Sequence, residues 1–218
     1  MTGEKTRLSG REGARVGVAG AYPVLKRLFD VLAAYILLLF LYIPMLIIAA
    51  LIKLTSRGSV IFRQARVGVG GKLFVCYKFR TMRPDAPPCL STAEFIDADK
   101  YITAVGRFLR RTSLDELPQL FNVLSGDMSL IGPRPLILSE SGMHERRREL
   151  GVYYVRPGMT GLAQVHGRDM LSDAEKVGYD AEYASKLCFT QDVRILLLTL
   201  VRVCSCEGVG RIGGKEEP

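Results

Sequence analysis

Tryptophan is absent from the 218 residues, and histidine occurs only at His144 and His166. Two histidines so far apart in sequence argue against a histidine-based metal centre or a Ser-His-Asp triad. The cysteines, Cys76, Cys89, Cys188, Cys204 and Cys206, are odd in number and lack zinc-ligand spacing, so they read as reduced thiols of a cytosolic domain. There is no Walker loop, because Glu216 stands where Ser or Thr is needed after Lys215. Gly208, Gly210 and Gly213 match a dinucleotide pattern, but too few residues follow to build a βαβ unit. No internal repeat is visible. Acidic residues are the minority, 22 against 30 Lys and Arg, for a net charge of +8 and a pI near 9.4. Hydrophobic residues at 48% and charged ones at 24% exclude wholesale disorder and a collagen-like repeat. What is present is an unusual pairing of positive charge with a mean hydropathy of +0.17. Soluble nucleic-acid binders are basic but rarely greasy, whereas membrane-surface proteins are often both.

Most of the apolar excess lies between Val31 and Ile52, 22 residues without a charge. As one straight helix this run would be ~33 Å long, enough for a bilayer core of ~30 Å. It does not read as a cleavable signal, since about thirty residues precede it and no small-residue cleavage site follows. Pro44 removes a backbone donor and divides the run into arms of 13 and 8 residues, roughly 20 Å and 12 Å, each too short to span. Lys and Arg flank both sides, among them Lys26 and Arg27 before the run and Lys53, Arg57 and Arg63 after it. A spanning helix should show asymmetry in these charges, and this one shows none. The expectation is a re-entrant hairpin that enters one leaflet, bends near Pro44 and returns, with both ends cytoplasmic. The alternatives are a kinked spanning helix and a buried core helix. No Ser or Thr adjoins Pro44 to satisfy the carbonyl freed at the bend.

The expected fold class is α+β and mainly helical, a membrane helix hairpin joined to a small cytosolic domain with a β-hairpin and interfacial amphipathic helices. Residues 1–23 form a basic leader, 24–56 the membrane element, 57–209 the cytosolic domain and 210–218 a tail. Val60–Val67 and Leu73–Phe79 are β-prone and separated by Gly68-Val69-Gly70-Gly71, a hairpin signal. Pro84, Pro87 and Pro88 open a loop reaching about Asp99. Helical patterns follow near Ala104–Arg110, Leu117–Leu124, Leu136–Leu150 and Asp173–Leu187. The apolar stretch Val193–Val203 is too short to span and is expected to lie in the interface or pack on the domain.

Three segments carry the chemistry. In Arg110-Arg111-Thr112-Ser113-Leu114-Asp115-Glu116-Leu117-Pro118, Ser113 and Glu116 have capping-box spacing, which would explain the glutamate structurally. Asp115 is not required by a cap. In a first helical turn beside arginines it would be held as a carboxylate, able to attack phosphorus or ligate a metal, and Pro118 could aim both carboxylates into one site. Gly132-Pro133-Arg134-Pro135 fixes the backbone on both sides of one cation. The segment from Val155 to Arg168 combines Arg156, Gly158, Thr160, Gly161, Gln164 and Arg168, which suits a phosphate-rich ligand through N–H groups and guanidinium forks. An ordinary glycine-rich turn is the plain alternative. Lys78 and Arg80 in KFRTM add two cations.

Together KRLFD (26–30), KFRTM (78–82), TSLDELPQLFNVLSGDMSLIGPRP (112–135) and VRPGMTGLAQVHGR (155–168) resemble the bacterial sugar transferases, the monotopic phosphoglycosyl transferases. The resemblance runs from about residue 24 to residue 209. It implies transfer of sugar-1-phosphate from a UDP-sugar to undecaprenyl phosphate with release of UMP, at the start of membrane glycoconjugate and exopolysaccharide synthesis. On the family's pattern Asp115 is the nucleophile, giving a phosphosugar-aspartate intermediate, and Asp115 and Glu116 hold Mg²⁺. Arg134, Arg110 and Arg111 correspond to basic residues around the dyad, and the membrane element is a re-entrant helix. The partners so implied are a UDP-sugar, a polyprenol phosphate, membrane lipid and a second copy of the chain, with no nucleic acid. The place is the cytoplasmic face of a bacterial inner membrane.

The chain departs from the family in having Ile43 where serine often precedes the proline. His166 and Asp169 stand where Asn is common, and the tryptophan often found after the glycine-rich loop is missing. A membrane-tethered basic scaffold would explain the charge and the apolar run but not the carboxylate pair. An alcohol phosphatidyltransferase would need several spanning helices.

Overall fold

The computed structural model describes residues 21–86, 98–167 and 170–205. The basic leader before Ala21, most of the proline-rich loop, Arg168, Asp169, the glycine pattern at Gly208 and the tail lie outside the described residues.

Helix α1, Tyr22–Thr55, opens with Pro23 in its first turn, where a missing N–H costs nothing, and continues through the apolar run without interruption at Pro44. Its 34 residues make a rod of ~51 Å. One face carries Asp30, Ala34, Leu38, Leu41, Met45, Ile48 and Ile52 at three- and four-residue steps, and from Asp30 to Ile52 this face packs on the rest of the chain. Ala34, Leu38 and Leu41 meet Leu120, Val123 and Met128; Met45, Ile48 and Ile52 meet Phe79, Leu109 and Leu117. The other faces are bare: Val24, Leu28, Phe40 (78% exposed), Ile43, Leu46 and Leu54 have no cover. Among the described residues α1 is the one helix whose length and apolar composition would suffice to cross a membrane.

Strands β1 (Ile61–Val67) and β2 (Leu73–Phe79) form the expected antiparallel hairpin, with Gln64 opposite Cys76 and Phe62 opposite Lys78. The turn needs positive φ at Gly70 (65°) and Gly71 (75°), which explains the paired glycines. After it come α2 (Ala98–Tyr101), α3 (Ala104–Thr112), a 3-10 turn (Leu114–Glu116) and α4 (Gln119–Ser125). Strand β3 (Ser129–Ile131), α5 (Ser141–Glu149), β4 (Gly158–Thr160), α6 (Leu162–His166), α7 (Asp173–Ser185) and α8 (Phe189–Ser205) complete the order. The helix expected from Leu136 starts later, because Pro135 and the extended residues after it bury Leu136 against Met143 and Val177 instead. The parallel pairing of β3 with β4 is absent from the sequence expectation, as are the short helices α2 and α6.

The main core gathers Ile131, Leu162, Tyr183 and Ile195 from β3, α6, α7 and α8, with Val155 from the segment before β4. Helix α8 packs through Ile195 and leaves Phe189, Leu197, Leu200 and Val201 exposed, so it both docks on the domain and presents an apolar stripe. A buried polar cluster ties its start to the start of α1. Lys26 lies 2.8 Å from Asp192, which also accepts from the Tyr22 and Tyr183 hydroxyls. Asp30 accepts from Ser129 Oγ at 2.8 Å and from the Leu130 N–H. Fully buried Asp30 and Ser129 thus register α1 against β3, the strand that leads into Gly132-Pro133-Arg134-Pro135.

Candidate active site

The carboxylate pair is positioned by the way α3 ends. Thr103 caps its start, accepting from the Gly106 N–H, and Gly106 lies against the Thr81 backbone so closely that a Cβ there would fall 2.0 Å from the Thr81 carbonyl oxygen. At the other end Ser113 adopts the left-handed conformation (φ 57°), the sole non-glycine with positive φ among the described residues. Such backbone is uncommon outside glycine and concentrates at functional sites. It reverses the chain, sets Leu114, Asp115 and Glu116 on one 3-10 turn, and Pro118 then restarts the chain as α4. The capping-box expectation fails here. Ser113 makes no side-chain cap, and the glutamate turns away from it. The spacing does form a capping box at Ser172 and Glu175.

Glu116 is 8% exposed and its Oε1 meets two cations, Lys78 Nζ at 2.8 Å and Arg134 Nη1 at 3.4 Å. Lys78 comes from β2, whose free edge is held by Asn122 of α4. The Asn122 amide donates to the Val75 carbonyl at 2.7 Å and accepts from the Tyr77 N–H at 3.0 Å, replacing a neighbouring strand. Arg134 is set by the β3–β4 pair. The Gly132 N–H donates to the Thr160 carbonyl and the Gly158 N–H to the Pro133 carbonyl, each at 2.8 Å. A Cβ on Gly158 would lie 2.1 Å from Gly132 N, so only glycine permits this approach. Asp115 is half-buried on the same turn as Glu116.

The other predicted residues divide by position. Gly158, Thr160 and Gly161 build the β4 crossing; Thr160 Oγ1 meets Thr199 Oγ1 at 2.7 Å, and Gly161 closes on the Gly132 carbonyl. Arg110 donates from Nε to Thr81 Oγ1 at 2.9 Å, beside the chain that leaves β2. Arg80 donates to the Ser56 carbonyl at the end of α1, and exposed Arg156 to the Gly126 carbonyl, so both brace backbone. Arg111 is exposed, Pro44 lies exposed inside α1, and Arg168 is outside the described residues.

Gln164 lies on α6 in a cleft that Arg134 also lines. Three further residues of this cleft escape a motif search. Arg147 pairs with Asp180, both almost fully buried, and its Nη1 donates to the Arg134 carbonyl at 2.8 Å. Arg66 donates to the Pro135 carbonyl at 2.9 Å. Burial, with Arg134 beside it, pushes the Arg66 guanidinium down to about 10. Burial likewise raises the Asp180 carboxyl, against the opposing pull of Arg147. Asp180 leaves one trace in the sequence, a charge on the apolar stripe Val177, Tyr183 and Ala184 of α7. Arg147 leaves none, since it sits in a run of three arginines that reads as a solvated face.

Among the described residues no group of three or more His, Cys, Asp or Glu side chains gathers. The donor set at the turn is therefore two adjacent carboxylates. That suits Mg²⁺, which is commonly held by one or two carboxylates together with substrate phosphates, and suits zinc poorly.

The family model described as bacterial sugar transferase matches residues 21–206. A UDP-glucose:undecaprenyl-phosphate glucose-1-phosphate transferase of Xanthomonas campestris pv. campestris is 41% identical over 189 residues, 84% of this chain and 39% of its own length. The uncharacterized sugar transferase EpsL of Bacillus subtilis is 39% identical over 186 residues, covering 85% of this chain and 90% of that protein. The exopolysaccharide production protein ExoY of Rhizobium meliloti is 38% identical over 199 residues, covering 84% and 87%. The chain thus spans about two fifths of the Xanthomonas protein and nearly all of the other two. The match extends through α1, the dyad turn, both paired strands and α8, and on this evidence the chain belongs to the bacterial sugar transferase family.

Proposed function

We propose that this chain transfers sugar-1-phosphate from a UDP-sugar to undecaprenyl phosphate, releasing UMP, at the cytoplasmic face of a bacterial inner membrane. The observation that carries the proposal is the convergence of Lys78 and Arg134 on Glu116, beside Asp115, on a turn held by a left-handed Ser113. Phosphoryl transfer between anions needs neutralisation and alignment more than a strong base. Asp115 and Glu116 would hold Mg²⁺, which when bound neutralises the diphosphate. Asp115 attacks the sugar-linked phosphorus in line; a P–O bond to its carboxylate forms as the bond to UMP breaks. A phosphate oxygen of the polyprenol then attacks the same phosphorus and the Asp115 carboxylate leaves, giving the polyprenyl diphosphosugar. Lys78 and Arg134 orient Glu116 and face the phosphates. Two steps let a soluble and a lipid substrate use one site in turn.

Helix α1, continuous through Pro44, is read as re-entrant, with both ends on the face of one leaflet and residues 57–209 as the cytosolic catalytic part. Support comes from its packing. Arg27 donates to the Val123 and Leu124 carbonyls near one end, and Ile52 packs on Phe79 and Leu109 near the other, so both ends rest on the same domain. A bilayer crossing along α1 would have to enclose α3 with Arg107 and Arg111, both exposed, at prohibitive desolvation cost. The bare apolar faces of α1 and α8 are the surfaces offered to lipid.

The test is incubation of the membrane-embedded protein with a panel of UDP-sugars, undecaprenyl phosphate and Mg²⁺. UMP release that requires both the lipid phosphate for turnover and the metal is the expected result; no release with any sugar would refute the proposal. A scaffold would release none.

A further inference from the structure

We propose that the cleft behind Arg134 is the pocket that reads the hydroxyl groups of the transferred sugar, with Gln164 and Asp180 as the specificity-determining residues. This rests on the function proposed above. The cleft is walled by Arg66, Arg134, Arg147, Gln164, Lys176 and Asp180. Among the described residues, five of its buried polar atoms have no hydrogen-bond partner: Oε1 and Nε2 of Gln164, Oδ1 of Asp180, and Nε of Arg66 and of Arg147. Buried polar groups are almost always paired, so five orphans on four residues that wall one cleft mark a ligand that would complete them.

The kinds of orphan decide the kind of ligand. Asp180 Oδ1 and Gln164 Oε1 are acceptors, while Gln164 Nε2 and the two arginine Nε–H groups are donors. A phosphate only accepts; it would leave both acceptors unpaired and face the Asp180 carboxylate. A hydroxyl donates and accepts at once, so neighbouring hydroxyls on a sugar ring satisfy the whole set. Asp180 suits this, because Arg147 engages its Oδ2 while Oδ1 keeps no partner among the described residues. Position agrees with chemistry. Arg134 lines the cleft and its Nη1 reaches Glu116, so the pocket adjoins the dyad, and the sugar is the group bonded directly to the phosphorus under attack. Uridine also carries donors and acceptors, but among the described residues no aromatic ring lines the cleft to stack on a base.

The test uses the full chain in membranes. Binding of UDP-glucose, UDP-galactose and UDP alone is measured for the unaltered protein, Gln164→Ala and Asp180→Asn, together with kcat/KM for UMP release from each sugar nucleotide. Gln164→Glu, which keeps the size of the side chain, stands in if an altered protein does not accumulate. The pocket predicts that the unaltered protein prefers one epimer and binds it more tightly than UDP. It also predicts that the variants shrink this preference by about tenfold or more while binding of UDP stays within about twofold. An unchanged preference overturns the inference, as does a parallel loss for UDP, which would assign the cleft to uridine. Absence of any preference in the unaltered protein overturns it too. A protein that binds sugar nucleotides selectively yet releases no UMP keeps the pocket and refutes the transferase proposal instead.

Discussion

Glu116 takes its meaning from residues far away in sequence. Lys78 precedes it by 38 positions and Arg134 follows by 18, and neither separation leaves a periodic trace. The local pattern with Ser113 pointed instead to a cap, which the left-handed backbone at Ser113 rules out. Motif resemblance found the dyad, whereas its electrostatic partners became definite only in three dimensions. Replacing Glu116 with Gln leaves Lys78 and Arg134 facing each other across a neutral group. The expected result is a fall in kcat of about 10²–10³-fold with weakened Mg²⁺ dependence, measured by UMP release across a metal titration. A variant with unaltered metal response would remove Glu116 from the site. Arg147 and Asp180 form a buried pair with a different role. Arg147→Met strands a carboxylate that is 1% exposed and should cost about 3–5 kcal/mol, read by denaturant unfolding.

At the level of elements, the hairpin and the longer helices were legible because each has a strong local signal, whereas the short α2 and α6 were not. Paired glycines end β1, Thr103 and Ser172 start helices, and α1 announces itself by composition. The β3–β4 pair was not legible. Each strand is three residues long, too short for alternation to show, and the pairing depends on glycines meeting at Gly132 and Gly158. The same element carries Arg134 to Glu116, so the missed pairing is the one that completes the site. Asn122 read as an ordinary helical polar residue, yet its amide closes the edge of β2 beside Lys78. Asn122→Ala would strand the part-buried Val75 carbonyl and Tyr77 N–H. A loss of about 2–4 kcal/mol is expected in thermal or denaturant unfolding, with activity falling further than stability because Lys78 loses its support.

For the whole molecule, charge symmetry about the apolar run and the packing of both ends of α1 on one domain point the same way. With the native cysteines replaced, single cysteines at Ala21 and Arg57 should both be shielded from an impermeant thiol reagent added outside intact cells. Labelling of one alone would establish a spanning helix. The distribution of charge, more than its sum, links anchor and chemistry: cations flank α1 and recur at Lys78 and Arg134, where a lipid phosphate and a sugar nucleotide would meet.

The central claim is that Asp115 carries the sugar phosphate between the two substrates. Its most direct test is to incubate the membrane-embedded protein with UDP-sugar and Mg²⁺ but no polyprenol phosphate, and to map covalent adducts by peptide mass spectrometry. A phosphosugar on Asp115, absent from Asp115→Asn and discharged on adding undecaprenyl phosphate, is the predicted result. An adduct that persists in Asp115→Asn, or turnover by that variant, would contradict it.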